Sequence, residues 1–347
     1  MSKRIRVTMR EVARLAGVSV STVSAAINGT AIVSPRRAQK VREAMDVLDY
    51  HPDQVARSLK VGRTEVVGVV MPDITNAFYP EVIRGIEDAA GQAGYSVILC
   101  NSNEDPAREQ RHLSTLFSRR VDGVLIACSD ASTAYDSLIR KRFPIVFFDR
   151  LPADTNRGAV CTDNLDAARS ATEHLLQLGH RNIAMITGNL LHSTHRDRLE
   201  GFRKAMQERH VAILNEYLRG GDLQTRSGYE ASLELLRLPR PPTAIIASNN
   251  KMMLGLMRAI GELSLACPAQ VSVIGFDDYA WTEYFTPRLT VVKQKTYDIG
   301  CRAMSMLLTQ IGSEGGSDQG EVVQLKAELL IRESTAAPAA KRARVRR

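Results

Sequence analysis

The spacing of apolar positions changes once along the chain, near residue 65. Before it, apolar residues recur at the period of a helix face. Thr8 with Glu11 three residues later is a capping-box start, and Val12, Ala13, Leu15 and Ala16 supply a face of mostly small apolar residues. Gly17 ends that helix, and Ser19 can cap a second one that buries Val23, Ala26 and Ile27. Ser34-Pro35 opens a third, an N-cap followed by Pro at the first helical position, with Ala38, Val41, Ala44, Met45 and Leu48 on its apolar side. The spacing predicts a three-helix head over 1–50. Two short helices meeting at a Gly, with a small Ala at their crossing, fit a helix-turn-helix, although an ordinary helical hairpin gives the same pattern. In a helix-turn-helix the second helix enters the major groove of DNA, which makes Val20, Ser21, Thr22, Ser24, Ala25 and Asn28 the candidate contacts.

Residues 51–64, HPDQVARSLKVGRT, are too few and too basic for a domain and read as a linker. Val55 and Leu59 stand at i and i+4 in one or two helical turns, with Arg57 and Lys60 beside them. A basic linker carrying an apolar Leu suits the minor groove, where apolar wedges unstack a base step; packing of Leu59 on the next domain is the plainer alternative. From Val66 onward, short β-branched runs alternate with helical stretches. VVGVV, YSVILC, DGVLIA and PIVFFD form one series, with helices expected over 80–93, from Pro106, and over 132–142. NIAMIT, TAIIAS and VSVIGF form a second, with helices over 196–209, 226–238 and 251–264. Apolar strands alternating with helices predict parallel sheets covered on both faces.

A later return, LTVVKQ with a helix over 297–311 and then 321–332, predicts two similar lobes that exchange strands across a hinge. The expected division of 65–334 is a first lobe over about 65–163 and 294–320 and a second over about 164–293 and 321–334. The fold class is therefore α/β: a helix-turn-helix head, a hinge, and a two-lobed body. A cleft beyond the carboxyl ends of the strands is the default place for a small ligand. Residues 335–347 lack apolar periodicity and read as a disordered basic tail.

At 347 residues, 44% hydrophobic and 24% charged, the chain has room for two or three domains of ordinary globular composition. No apolar run approaches the ~18 residues of a membrane span, and the basic start lacks the apolar core of a signal peptide. Charge is more informative once located. Residues 1–63 carry twelve Lys/Arg against five Asp/Glu, and 341–347 five against none. The net charge is +8, which leaves −4 on the span between. A basic head on a mildly acidic body points to a nucleic-acid-binding module joined to something else. Five widely spaced cysteines read as free thiols in a reducing cytoplasm, with no metal spacing. There is no Gly-rich phosphate loop after a strand, no nucleophile elbow and no His-rich metal motif, so neither an enzyme nor a cofactor is expected.

The stretches VTMREVARLAGVSVSTVSAAING, YHPDQVARSLKVGRTEVVGVVMPDITNAFY, HLLQLGHRNIAMITG, HRDRLEGF and SVIGFDDYAWTEYFTPRLTVVKQ occur in this order at these spacings. With them the chain resembles the LacI/GalR family of bacterial transcription regulators over nearly its whole length, the tail excepted. The resemblance implies a homodimer on a roughly palindromic double-stranded operator, in the bacterial cytoplasm and on the nucleoid, with no membrane partner. It places Val20, Ser21 and Ala25 at base-reading positions, Leu59 at the operator centre, and Arg10, Arg36 and Arg57 at phosphates. Position 25 often carries Arg or His in the family. An apolar Val-Ser-Ala face instead favours thymine methyls and single hydrogen bonds.

The same resemblance implies a small polar effector between the lobes, a sugar or sugar acid first and a nucleobase second. The positions it assigns are Phe78, Tyr79, Asp149, Arg150, Arg198, Asn249, Asp277, Trp281 and Gln294, with no metal. Where the family usually has Asn-Asp then Ala, this chain has Asn249-Asn250-Lys251-Met252-Met253, so Asn250 is expected to cap the following helix and Met253 to reshape the pocket floor. Effector binding is expected to close the cleft and so to decide whether the paired hinge segments fold in the minor groove.

Overall fold

The computed structural model describes residues 7–29, 31–50, 62–129, 135, 143–153, 158–313 and 320–339. They belong to two compact units, Met1–Thr64 and Glu65–Arg347. The helix expected over 132–142, most of the 51–64 linker and the end of the tail lie outside the described residues.

The head consists of α1 (Met9–Ala16), α2 (Val20–Asn28) and α3 (Pro35–Val47). The capping box forms as read: the Thr8 amide and hydroxyl donate to the Glu11 carboxylate at 2.7 and 2.9 Å. Gly17 follows α1 at φ 65°, a left-handed stop that a Cβ would strain. Val12, Ala13, Ala16, Val23, Val41 and Ala44 make the core. Leu15, placed on the buried face by its spacing, is instead 52% exposed beside Val47, because α1 buries only its Val12–Ala13–Ala16 edge. So small a core makes the caps a large share of the head's stability.

The body holds two six-stranded sheets. The first is built from β1 (Val66–Met71), β2 (Ser96–Asn101), β3 (Gly123–Ile126), β4 (Ile145–Phe148), β5 (Ala159–Thr162) and β11 (Val322–Leu325), in the order β11-β5-β4-β3-β1-β2. The second comprises β6 (Ile183–Thr187), β7 (Leu218–Gly220), β8 (Ala244–Ala247), β9 (Ser272–Phe276), β10 (Thr290–Lys293) and β12 (Glu328–Leu330), in the order β12-β10-β9-β8-β6-β7. All pairings are parallel except β10 with β12. The inner strands are buried along nearly their whole length, as strands covered on both faces must be.

One boundary departs from the sequence reading. Residues 321–334 were expected in the second lobe, but β11 pairs in register with β5 of the first, Val322 opposite Ala159, and the chain crosses over only before β12. Hydrophobicity could not place so short a strand; its pairing partner decides.

Helices α4 (Phe78–Gln92), α5 (Pro106–Ser118) and α11 (Thr296–Gly312) cover the first sheet. Helices α6 (Asn164–Gln177), α7 (Ser193–Glu208), α8 (Thr225–Leu236) and α9 (Asn250–Glu262) cover the second, and α10 (Ala280–Tyr284) lies at its rim. The start of the expected tail is anchored rather than loose. His180 bonds the Ala336 carbonyl at 2.8 Å, and the Ala336 amide donates to the Ser272 hydroxyl at 3.1 Å.

Candidate functional site

In the head, the Ser19 hydroxyl accepts the Thr22 amide at 3.1 Å and lies 2.8 Å from the Ser21 and Thr22 hydroxyls. These bonds fix the start of α2 and engage Thr22 in the cap. Val20 is 42% exposed, Ser21 is exposed, and Ser24 and Ala25 are half-buried. Val20, Ser21 and Ser24 fall on one helical face. Arg10 and Arg36 are exposed. Asn28 is the last residue of α2. Arg57, Leu59 and Lys60 lie outside the described residues.

In the body, the described residues that line the space between the lobes come shortly after the carboxyl ends of parallel strands or in the first two turns of the next helix, as expected for an open α/β sheet. Eight of the nine expected effector residues line one inner cavity of about 30 Å³: Phe78, Tyr79, Asp149, Arg150, Arg198, Asn249, Asp277 and Gln294. Trp281 does not. It packs between Tyr279 and Phe285, ring centroids 5.9 Å from each, at the edge of the second lobe's core.

The cavity has a carboxylate from each lobe. Asp149 follows β4 at φ 59° and Asp277 follows β9 at φ 74°, both left-handed, a conformation that for a non-Gly residue marks a constrained site. Burial pushes both carboxyls above their usual range, against the lowering fields of Arg150 and Arg198 at Asp149 and of Arg198 at Asp277. The Tyr79 hydroxyl donates to Asp149 at 2.9 Å, and Gln294 donates to Asp277 at 2.6 Å. Arg198 donates to Asn164 at 2.7 Å and to the Ser248 carbonyl, with its guanidinium 3.9 Å from the centre of the Phe276 ring. Thus anchored, it presents its remaining N–H groups in a fixed fork. Arg150 is committed elsewhere, gripping Glu104 in a bidentate pair at 2.7 and 3.0 Å. His195 bonds the Ser248 hydroxyl at 3.1 Å; burial first, then the nearby Arg198 and Arg150, holds it neutral with a pKa well below the ordinary value.

Three expectations need correction. Asn249, not Asn250, caps α9: its carbonyl oxygen accepts the Met252 amide at 2.8 Å while its amide donates to the Leu223 carbonyl. Asn250 instead reaches Asn76 of the first lobe at 2.8 Å, and Asp277 and Tyr279 of its own. Met253 is buried over Gly275 in the second core and is not part of the cavity lining. Expected pocket residues also leave out Asn76, Thr194 and His195, and the outer chamber of about 310 Å³ between Glu104, Pro106, Ser129, Asn189, His192 and Leu223. One signal would have found them. They all lie in the loops or first helical turns that follow β1, β2, β3, β6 and β7.

A helical DNA-reading head on a two-lobed, ligand-cleft body defines a ligand-controlled DNA-binding regulator. Residues 8–53 match the family described as bacterial regulatory proteins, lacI family, and 172–335 match the periplasmic binding protein-like domain. The HTH-type transcriptional repressor PurR of Actinobacillus pleuropneumoniae serotype 3 (strain JL03) is 34% identical over 328 residues, 94% of this chain and 98% of that protein. The ribose operon repressor of Escherichia coli (strain K12) is 37% identical over 306 residues, 88% of this chain and 93% of that protein. A crystal structure of the lac repressor dimer bound to operator and the anti-inducer ONPF superposes with a TM-score of 0.86 at 30% identity, covering 96% of this chain and 100% of that one. The chain belongs to the lacI family: it is a DNA-binding transcriptional repressor regulated by a small molecule in its periplasmic-binding-protein-like part. Among the described residues no helix is long and apolar enough to cross a membrane.

Proposed function

We propose that the effector is a neutral sugar held by Asp149, Arg198, Asp277 and Gln294, and that it controls a homodimer on a palindromic operator in the bacterial cytoplasm. The carrying observation is the distribution of charge in the cleft. Glu104 already holds both terminal nitrogens of Arg150, and Arg198 lies in the fields of Asp277 and Asp149. Among the described residues lining the cavity, Asp149 and Asp277 balance the charge of Arg198, so no net positive charge awaits a ligand carboxylate or phosphate, whereas carboxylates flanking a fixed guanidinium suit vicinal hydroxyls. A sugar acid fits this balance less well than a neutral sugar. A nucleobase fits less well too, because Phe78 and Tyr79 meet edge to face and Tyr79 is tied to Asp149, which supports no parallel slot for a flat ring. The relative named for the ribose operon supports the sugar reading.

The test is a thermal-shift screen against neutral sugars, sugar acids, phosphosugars and purines. A ligand at 100 times its Kd adds about 2.7 kcal/mol. The expected result is a shift with neutral sugars alone, lost in Arg198→Lys, which keeps the charge but not the fork. A shift with acids or purines and none with neutral sugars would reject this effector class. On the DNA side, Val20, Ser21 and Ala25 are proposed to read base edges, and Arg10 and Arg36 to contact phosphates.

A further inference from the structure

The chain enters and leaves the body at opposite ends. From the linker it arrives at Glu65, whose amide donates to the Asp122 carboxylate at 2.9 Å, where β1 and β3 begin. The carboxyl ends of both sheets face the shared cavity, so the starting ends of the strands lie on the outer side of each lobe. After β12 the chain runs as a strap across the starting ends of the second sheet. Ser334, fully buried, donates to the Val273 carbonyl at 2.7 Å and accepts the Thr290 amide at 2.8 Å. The Val273 amide in turn donates to the Ser334 carbonyl at 2.8 Å. The His174 ring bonds the Thr335 hydroxyl at 3.0 Å, next to the bonds that hold Ala336 to His180 and Ser272. The strap thus fixes the point from which the remaining residues depart.

What departs is KRARVRR over 341–347, five cations and no acid. The residues 340–347 span at most about 28 Å whatever their conformation. The six residues of β1 and the five of β9 rise about 3.3 Å each, so the two outer ends of the body, with the cleft between, stand on the order of 40 Å apart. These charges therefore act away from the end where the linker enters. Carboxylates along the strap do not claim them either: Glu333 is paired with Arg288, Asp278 with Arg332 and Glu173 with Arg169. The stretch has no aromatic residue to stack on unpaired bases or to seat in a lipid interface. Four of its five cations are Arg, whose planar fork suits phosphate oxygens.

We propose that residues 341–347 are a second DNA-binding element, which grips the phosphates of a duplex other than the one held by the head, without regard to sequence. A repressor on its operator is surrounded by further duplex at high effective concentration, so a weak electrostatic contact suffices. One molecule thereby ties two stretches of DNA together, with the strap as the anchor on the protein side.

The experiment compares the full chain with a variant carrying Lys341→Gln, Arg342→Gln, Arg344→Gln, Arg346→Gln and Arg347→Gln together. A duplex of arbitrary sequence is fixed on beads, protein is loaded to the same amount, and capture of a second, labelled duplex is read. The parent should capture the second duplex, and capture should fall to background in the Gln variant. Five phosphate contacts should steepen the fall of log capture with log salt by about 4.5. A variant with residues 341–347 in shuffled order should behave as the parent, since only charge is at work. Thermal melts confirm that the variants are folded. Equal capture by the parent and the Gln variant would overturn the proposal. Tail-dependent binding to phosphatidylserine vesicles, with capture of the second duplex unchanged, would overturn it too and assign the tail to a lipid surface.

Discussion

At the residue scale, the consequence of burial is sharpest at His195. Its imidazole is neutral when folded, whereas in the unfolded chain it takes up a proton below about pH 6.5. The unfolded state therefore binds more protons as the pH falls through that value, and stability drops by up to about 1.4 kcal/mol per pH unit. His195→Gln removes this contribution. Urea unfolding from pH 7 to pH 5 should show the parent losing stability more steeply than the variant. A parallel pH dependence in the two proteins would mean that His195 is protonated in the fold. Little of this was legible in the sequence: HSTHRDRLEGF marks Arg198 by resemblance, but nothing in it distinguishes a buried neutral imidazole from an exposed one. The Arg150–Glu104 pair is a similar case. Arg150 reads as an anion-binding group until its partner, 46 residues earlier, is seen to occupy it.

At the scale of elements, three helix pairs are built on glycine. A Cβ on Gly300 of α11 would strike the Val82 carbonyl oxygen of α4, and one on Gly85 would strike that of Tyr297 in return. Gly201 stands in the same relation to Leu165 between α7 and α6, and Gly255 to Thr225 between α9 and α8. Gly261, near the end of α9, has open space around it. Gly300→Ala should cost about 1–3 kcal/mol by forcing α4 and α11 apart. Gly261→Ala should gain about 0.5–1 kcal/mol from helix propensity. Chemical denaturation of the two variants checks both signs. Apolar spacing predicted these helices well, since their buried faces follow the helical period. It could not predict which of them touch, because a glycine at a crossing looks in sequence like a weak point in a helix.

At the scale of the whole molecule, effector and operator compete for or share one conformational equilibrium, and their coupling is reciprocal. Operator DNA must change effector affinity by the factor by which effector changes operator affinity, and titrations in both directions should agree. With Arg10, Arg36 and Arg57 as phosphate contacts on each of two heads, log affinity should fall with log salt at a slope of about −5. Leu59→Gly, or removal of residues 51–63, should weaken operator binding and leave effector binding unchanged. Unaltered operator affinity would remove the linker from the mechanism.

The sequence by itself determined the kinds of element, their order and the family. Caps, glycine stops and the change from helical to strand spacing are local, and each is written in a few neighbouring residues. Through the family resemblance it also named eight of the residues that line the cleft, and these follow parallel strands, whose carboxyl ends gather at one end of a sheet. Only the tertiary structure decided which sheet β11 joins, that Asn249 rather than Asn250 caps α9, that Trp281 stands away from the cavity, and that Lys251 of one lobe meets Asp73 of the other. These depend on contacts between groups far apart in the chain. A side chain's charge and size set what it can bind, but its partner is fixed only when the lobes are folded against each other.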